Sequence, residues 1–67
     1  MGFTIFIEST YSGFFYARVR TPRGESYGYA VDAADVVRTP YGKWVFSNRA
    51  EKERILADAK KIHSFGF

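Results

Sequence analysis

Val19-Arg20-Thr21-Pro22-Arg23-Gly24-Glu25 returns further along the chain as Val37-Arg38-Thr39-Pro40-Tyr41-Gly42-Lys43, with Val, Arg, Thr, Pro and Gly at the same spacing. Proline suits the first central position of a type I turn because its ring presets φ. Glycine two residues later accepts a positive φ without steric cost. A type I turn closed by a glycine bulge is the three-residue connection of an antiparallel hairpin. Each copy therefore predicts a hairpin, and the flanking residues predict its strands.

Working outward from the first copy, 14–20 and 26–31 are rich in aromatic and β-branched residues and read as strands. A three-residue loop pairs Thr21 with Glu25, which sets Tyr27 against Val19, Tyr29 against Ala17 and Val31 against Phe15. Upstream, 3–8 is a further strand, closed by the polar run Ser9-Thr10-Tyr11-Ser12-Gly13. Read as a five-residue loop, that run sets Glu8 against Phe14, Phe6 against Tyr16 and Ile5 against Ala17. One face of the three strands then carries Phe3, Ile5, Ile7, Phe15, Ala17, Val19, Tyr27, Tyr29 and Val31, all apolar or aromatic. A slip of one residue would scatter this set over both faces, because the side-chain period of a strand is two.

Asp32-Ala33-Ala34-Asp35 predicts a connector with one helical turn capped by Asp32. The second copy predicts a hairpin of 36–39 against 43–46, with Trp44 opposite Arg38 and its ring packed against the helix that follows. That helix, 49–63, starts at Asn48 as N-cap with Glu51 three residues on. Ile55, Leu56, Ala59, Ile62 and His63 fall on one stripe, and Gly66 reads as its stop. Glu51 with Arg54 and Asp58 with Lys61 have the i,i+3 spacing of favourable pairs. The expected fold is α+β: one domain, 1–67, with a small antiparallel meander of about five short strands packed on one C-terminal helix.

Sixty-seven residues make a small domain that buries only about 60% of its unfolded surface, so a deep catalytic cleft is not expected. The chain has no cysteine, which excludes disulfides and thiolate metal sites and suits a reducing cytoplasm. Hydrophobic residues form 46% of the chain and aromatics 19%, which argues against disorder. The start lacks a basic leader and Glu8 cuts its apolar run short, so neither a signal peptide nor a membrane span is expected. Ten basic and seven acidic residues give a net charge of +3, compatible with an anionic partner.

The face opposite the predicted core sets aromatics beside arginines: Phe6, Phe14 and Tyr16 next to Arg18 and Arg20, with Arg23 at the turn. Between Glu8 and Glu25 the chain has three arginines and no acid. Rings that stack on bases beside cations that hold phosphates are the chemistry of single-stranded nucleic-acid binding. That is the leading expectation, with Phe6, Phe14 and Tyr16 stacking and Arg18, Arg20 and Arg23 holding phosphates. Two other readings of the face remain: a second small core under the 9–13 loop, and a protein-binding surface with Tyr41 at the tip of the second turn as an anchor. The protein-binding reading suits a small regulator or inhibitor of the kind phages and mobile elements encode. An unpaired strand edge could also join two copies, so monomer and homodimer both remain. Five short strands with a C-terminal helix resemble the small SH3-like chromatin proteins of archaea, though this chain lacks their lysine density. Four strands and a helix would be similar to the PUR-type single-strand binders.

Catalytic and cofactor chemistry is not expected. His63, the one histidine, lies on the apolar helical stripe, where packing or C-capping accounts for it. Asp32 and Asp35 lack a third metal ligand, and the glycines sit singly in turns rather than in a phosphate loop.

Overall fold

The computed structural model describes residues 2–10 and 12–65. In chain order the elements are β1 (Thr4–Ser9), β2 (Phe15–Arg20), β3 (Ser26–Val31), a single-turn 3-10 helix (Ala33–Asp35), β4 (Val36–Arg38), β5 (Trp44–Phe46) and α1 (Arg49–Ser64). β1, β2 and β3 form one antiparallel sheet in that order, and β4 and β5 form a second. Five antiparallel strands in two sheets pack on one helix, which is the expected α+β class and is compatible with an SH3-like arrangement. The four-strand alternative does not hold. Most boundaries differ from expectation by a single residue at one end. Phe14 lies outside β2, Thr39 outside β4 and Lys43 outside β5, because each belongs to a turn.

Those turns share one construction, and there are three of them. In Thr10–Phe14, Thr21–Glu25 and Thr39–Lys43, the threonine N–H donates to the carbonyl four residues on, at 2.9, 2.9 and 2.7 Å. The glycine N–H donates back to the threonine carbonyl at 3.2, 3.0 and 2.9 Å. The N–H of the closing residue donates to the threonine Oγ1 at 3.2, 3.1 and 3.1 Å. Gly13, Gly24 and Gly42 have φ of 83°, 88° and 84°, the left-handed region that only glycine enters cheaply. Threonine supplies the side-chain acceptor and glycine the bulge, so proline is dispensable. The first turn, with Tyr11 in the proline position of the sequence, follows the same rule.

This third copy corrects the register between β1 and β2. The connection is three residues long, not five, so the pairs are Thr4 with Arg20, Ile5 with Val19, Phe6 with Arg18, Ile7 with Ala17, Glu8 with Tyr16 and Ser9 with Phe15. The shift along β1 is two residues, and an even shift keeps every side chain on its face. The expected nine-residue layer therefore survives with its rows exchanged. Pairing of β2 with β3 and of β4 with β5 is as the turn spacing predicts, including Tyr27 opposite Val19 and Trp44 opposite Arg38.

Ala17, Val19, Val31, Val36, Ile55 and Ala59 form the buried core, with Phe3, Ile5, Ile7, Phe15, Tyr27, Tyr29, Trp44, Phe46 and Leu56 packed around it. Ile55 and Ala59 of α1 are fully covered, while Ile62 on the same predicted stripe stays exposed. Among the described residues, Ile55 and Val19 are the largest side chains sealed completely from solvent. At about 1.5–3 kcal/mol for each large apolar side chain buried, a core this small makes every member count. The Trp44 ring meets the edge of Phe15, with centroids 4.7 Å apart, and carries Arg38 over its face at 5.9 Å.

Side chains tie the helix at both ends. Asp32 Oδ1 accepts from Ala34 N–H at 3.1 Å and caps the 3-10 helix as expected. Asn48 Oδ1 accepts from Glu51 N–H at 3.3 Å, and Asn48 Nδ2 donates to Asp35 Oδ1 at 3.1 Å, which joins the two helices through the cap. Glu51 and Arg54 pair as expected, and the bond holds the Glu51 carboxyl below and the Arg54 guanidinium above their usual ranges. Asp58 turns instead to Tyr29, whose hydroxyl donates to Asp58 Oδ2 at 2.8 Å. Gly66 lies outside the described residues. No helix is long and apolar enough to cross a membrane among the described residues.

Candidate functional site

The outer face of the three-stranded sheet is set by alternation along β1 and β2 and by the Thr10 turn that fixes their register. Its rows are Thr4, Arg20 and Ser26, then Phe6, Arg18 and Gly28, then Glu8, Tyr16 and Ala30. The helix and the core lie on the opposite side. Phe6 is 38% exposed and Tyr16 41%, so the face is not a second core. Gly28 opens it further, since a Cβ added there would meet nothing within 4 Å.

The corrected register changes what stands beside what. Phe6 was expected opposite Tyr16, and the two rings are instead diagonal, with Arg18 opposite Phe6 and Glu8 opposite Tyr16. Glu8 and Arg18 occupy the other diagonal. Arg18 Nε donates to Glu8 Oε1 at 3.0 Å, and Arg18 Nη1 donates to Ser26 Oγ at 3.2 Å. Glu8 therefore neutralises the central cation of the expected phosphate set. Half-exposed, the pair is screened and adds little stability, so its main effect is on the charge of the face.

The other expected residues separate into two groups. Arg20, at the edge of the same face, has no ion-pair partner among the described residues and lines a depression of about 300 Å³ with Gly2, Thr4, Thr21 and Pro22. Phe14, 64% exposed, sits at the end of the Thr10 turn rather than within the sheet. Arg23, expected to hold phosphate from the turn, is engaged within the fold. Its Nη2 donates to the His63 carbonyl at 3.3 Å and reaches His63 Nδ1 at 3.2 Å and Glu25 Oε1 at 3.7 Å, so it clips the Thr21 turn to the end of α1. The exposed carbonyls at a helix C-terminus attract a cation, which explains the choice. Tyr41 stands 96% exposed at the tip of the Thr39 turn.

His63 is half-buried against the edge of Phe3, with centroids 5.2 Å apart. Its Nδ1 is within reach of both Arg23 and Glu25, at 3.2 and 3.4 Å. One ring nitrogen cannot accept from Arg23 and donate to Glu25 at the same time, so only one of these two contacts is a hydrogen bond in a given tautomer. Glu25 Oε1 further accepts from Tyr27 and Thr21 hydroxyls, both at 3.4 Å. Burial first, and the Glu25 carboxylate second, push the Tyr27 hydroxyl above its usual range. This cluster joins turn to helix. Among the described residues no group of three His, Cys, Asp or Glu side chains could hold a metal.

Sequence reasoning missed a second set of cations. β1 pairs with β2 along one edge, and its other edge lies beside β5 without forming a ladder. Between them runs a groove of about 210 Å³ that brings Lys43 and Lys52 next to Phe6. Turn spacing predicts which strands are joined by hairpins, but not that β5 comes to rest against β1. No family model, curated protein or solved structure matches this chain.

Proposed function

We propose that the protein binds single-stranded nucleic acid on the outer face of its three-stranded sheet, as a non-catalytic module working in the cytoplasm. The observation that carries this reading is the diagonal pair Phe6 and Tyr16, two exposed rings on a rigid sheet with Arg18 between them and Arg20 in the next row. Apolar rings on an open face are costly to leave in water and suited to stacking on bases, at about 1–3 kcal/mol per base. Arg20, without an ion-pair partner among the described residues, offers a cation for a phosphate beside them. The role expected of Arg23 is withdrawn, because that side chain is engaged at the helix end. Fluorescence anisotropy with a labelled mixed-sequence oligonucleotide tests the reading. Phe6→Ala with Tyr16→Ala should weaken binding by roughly 30-fold or more, as two lost stacks imply. Both rings lie outside the core, so the fold should persist. Unchanged affinity in the double variant overturns the proposal.

Tyr41 supports a second reading, a protein contact of the regulator or inhibitor kind. A nearly fully exposed aromatic on a turn fixed by three hydrogen bonds is a preorganised anchor, and tyrosine is enriched among residues that dominate interfaces. Nucleic-acid binding should weaken steeply with salt, and an aromatic protein contact should tolerate it.

A further inference from the structure

We infer that the groove between β1 and β5 is a phosphate track continuous with the aromatic face, with Lys43 and Lys52 holding the backbone of the strand whose bases stack on Phe6 and Tyr16. The inference rests on the nucleic-acid reading and gives that site a direction and a second arm.

Three observations support it. First, Phe6 belongs to both surfaces: it stands in the outer row with Arg18 and also lines the groove with Ile5, Ile7, Trp44 and the two lysines. A strand stacked on Phe6 therefore has the groove at its side. Second, the groove has charge of one sign. Lys43 and Lys52 line it, no acid does, and neither lysine has an ion-pair partner among the described residues. Glu53, which lines the neighbouring depression with Phe46 and Lys52, pairs with Arg49 at 3.8 Å. Third, Lys52 lies in the opening turn of α1, where the positive end of the helix disfavours a cation. An anion in the groove would relieve that repulsion and bridge both lysines.

With Arg18 neutralised by Glu8 and Arg23 engaged at the helix end, these lysines and Arg20 are the cations left near Phe6 to meet phosphates. Arg20 lies towards one end of β1 and the lysines along its open edge, so the strand would cross β1 at Phe6. Duplex DNA has no splayed bases to offer the rings, so the track fits a single strand.

The test measures binding of a single-stranded oligonucleotide of about ten nucleotides at several salt concentrations, by wild type and by the Lys43→Ala/Lys52→Ala variant. Loss of two phosphate contacts should make the slope of log K against log salt shallower by about 1.4 and reduce affinity at 0.1 M salt by roughly 25-fold. Lys60→Ala/Lys61→Ala makes the same change in net charge on the far part of α1 and should leave the slope as it is. Thermal melts of both variants confirm that the fold is intact. An unchanged slope in the groove variant overturns the track and leaves the face reading standing. Equal losses in the two variants overturn it as well, because net charge alone would then account for them. If wild type binds no oligonucleotide, both proposals fall together.

Discussion

Arg18 donates to Glu8 at 3.0 Å across the diagonal between Phe6 and Tyr16, so the centre of the aromatic face carries an ion pair instead of a bare cation. Glu8→Gln would keep the acceptor and remove the charge, leaving Arg18 uncompensated. The expected result is tighter oligonucleotide binding and a salt slope steeper by about 0.7, one additional phosphate contact. Arg18→Gln should move both in the opposite direction. Anisotropy titrations at three salt concentrations measure the two variants, and a Glu8→Gln variant that binds more weakly would contradict the role given to Arg18.

The shared turn construction makes a prediction about stability. Gly13→Ala, Gly24→Ala and Gly42→Ala each force alanine into a left-handed backbone and should cost about 1–2 kcal/mol in urea unfolding. Gly42→Ala should cost about as much as the other two, because its Cβ would make only an ordinary contact with the flexible end of Arg38, Nη2 at 3.4 Å. Gly28→Ala is the contrast. Gly28 has ordinary strand φ and open space around it, so alanine there should stabilise by about 0.5–1 kcal/mol.

Much of this fold was legible because glycine and threonine spacing specifies turns locally. The two Thr-Pro-x-Gly copies placed β2 against β3 and β4 against β5 in the observed register, and Asn48 marked the start of α1. The Thr10 turn was misread because proline, the conspicuous residue in the other copies, is absent from it. The error moved β1 by two residues, which left every side chain on its face and mispaired the rows of both faces. The site was thus legible as a set of residues and not as an arrangement: Phe6 and Tyr16 were named, while the Glu8 contact depends on the register. The places of Arg23 and Lys43 depend on where α1 and β5 finally pack, which is long-range information that spacing within a hairpin does not contain.

Ile55 is fully covered, and a domain of this length has a stability of roughly 3–10 kcal/mol at ordinary values per residue. Ile55→Ala should cost about 2–5 kcal/mol, enough to populate unfolded chain at room temperature at the upper end of that range. Circular dichroism melts check this. Ile62→Ala, two turns along the same stripe and exposed, should change the midpoint little.

Tyr29 gives a prediction in alkaline solution. Burial first, then the hydrogen bond to Asp58, push its hydroxyl from 10.0 up to about 12. The folded state therefore holds this proton where the unfolded chain has released it. The contribution is fully present below pH 10 and is lost as pH rises from about 10 to about 12. Ultraviolet titration of wild type minus Tyr29→Phe should isolate a tyrosinate step near pH 12, and Asp58→Asn should move that step down.

The central claim is that the outer sheet face binds single-stranded nucleic acid, and amide NMR titration of the labelled protein with a mixed-sequence oligonucleotide tests it most directly. At low salt, saturable shifts should gather on Phe6, Tyr16, Arg18 and Arg20, with a second group at Lys43 and Lys52, and all should fade towards physiological salt. Silence across β1 and β2, or shifts confined to the Thr39 turn around Tyr41, would contradict it.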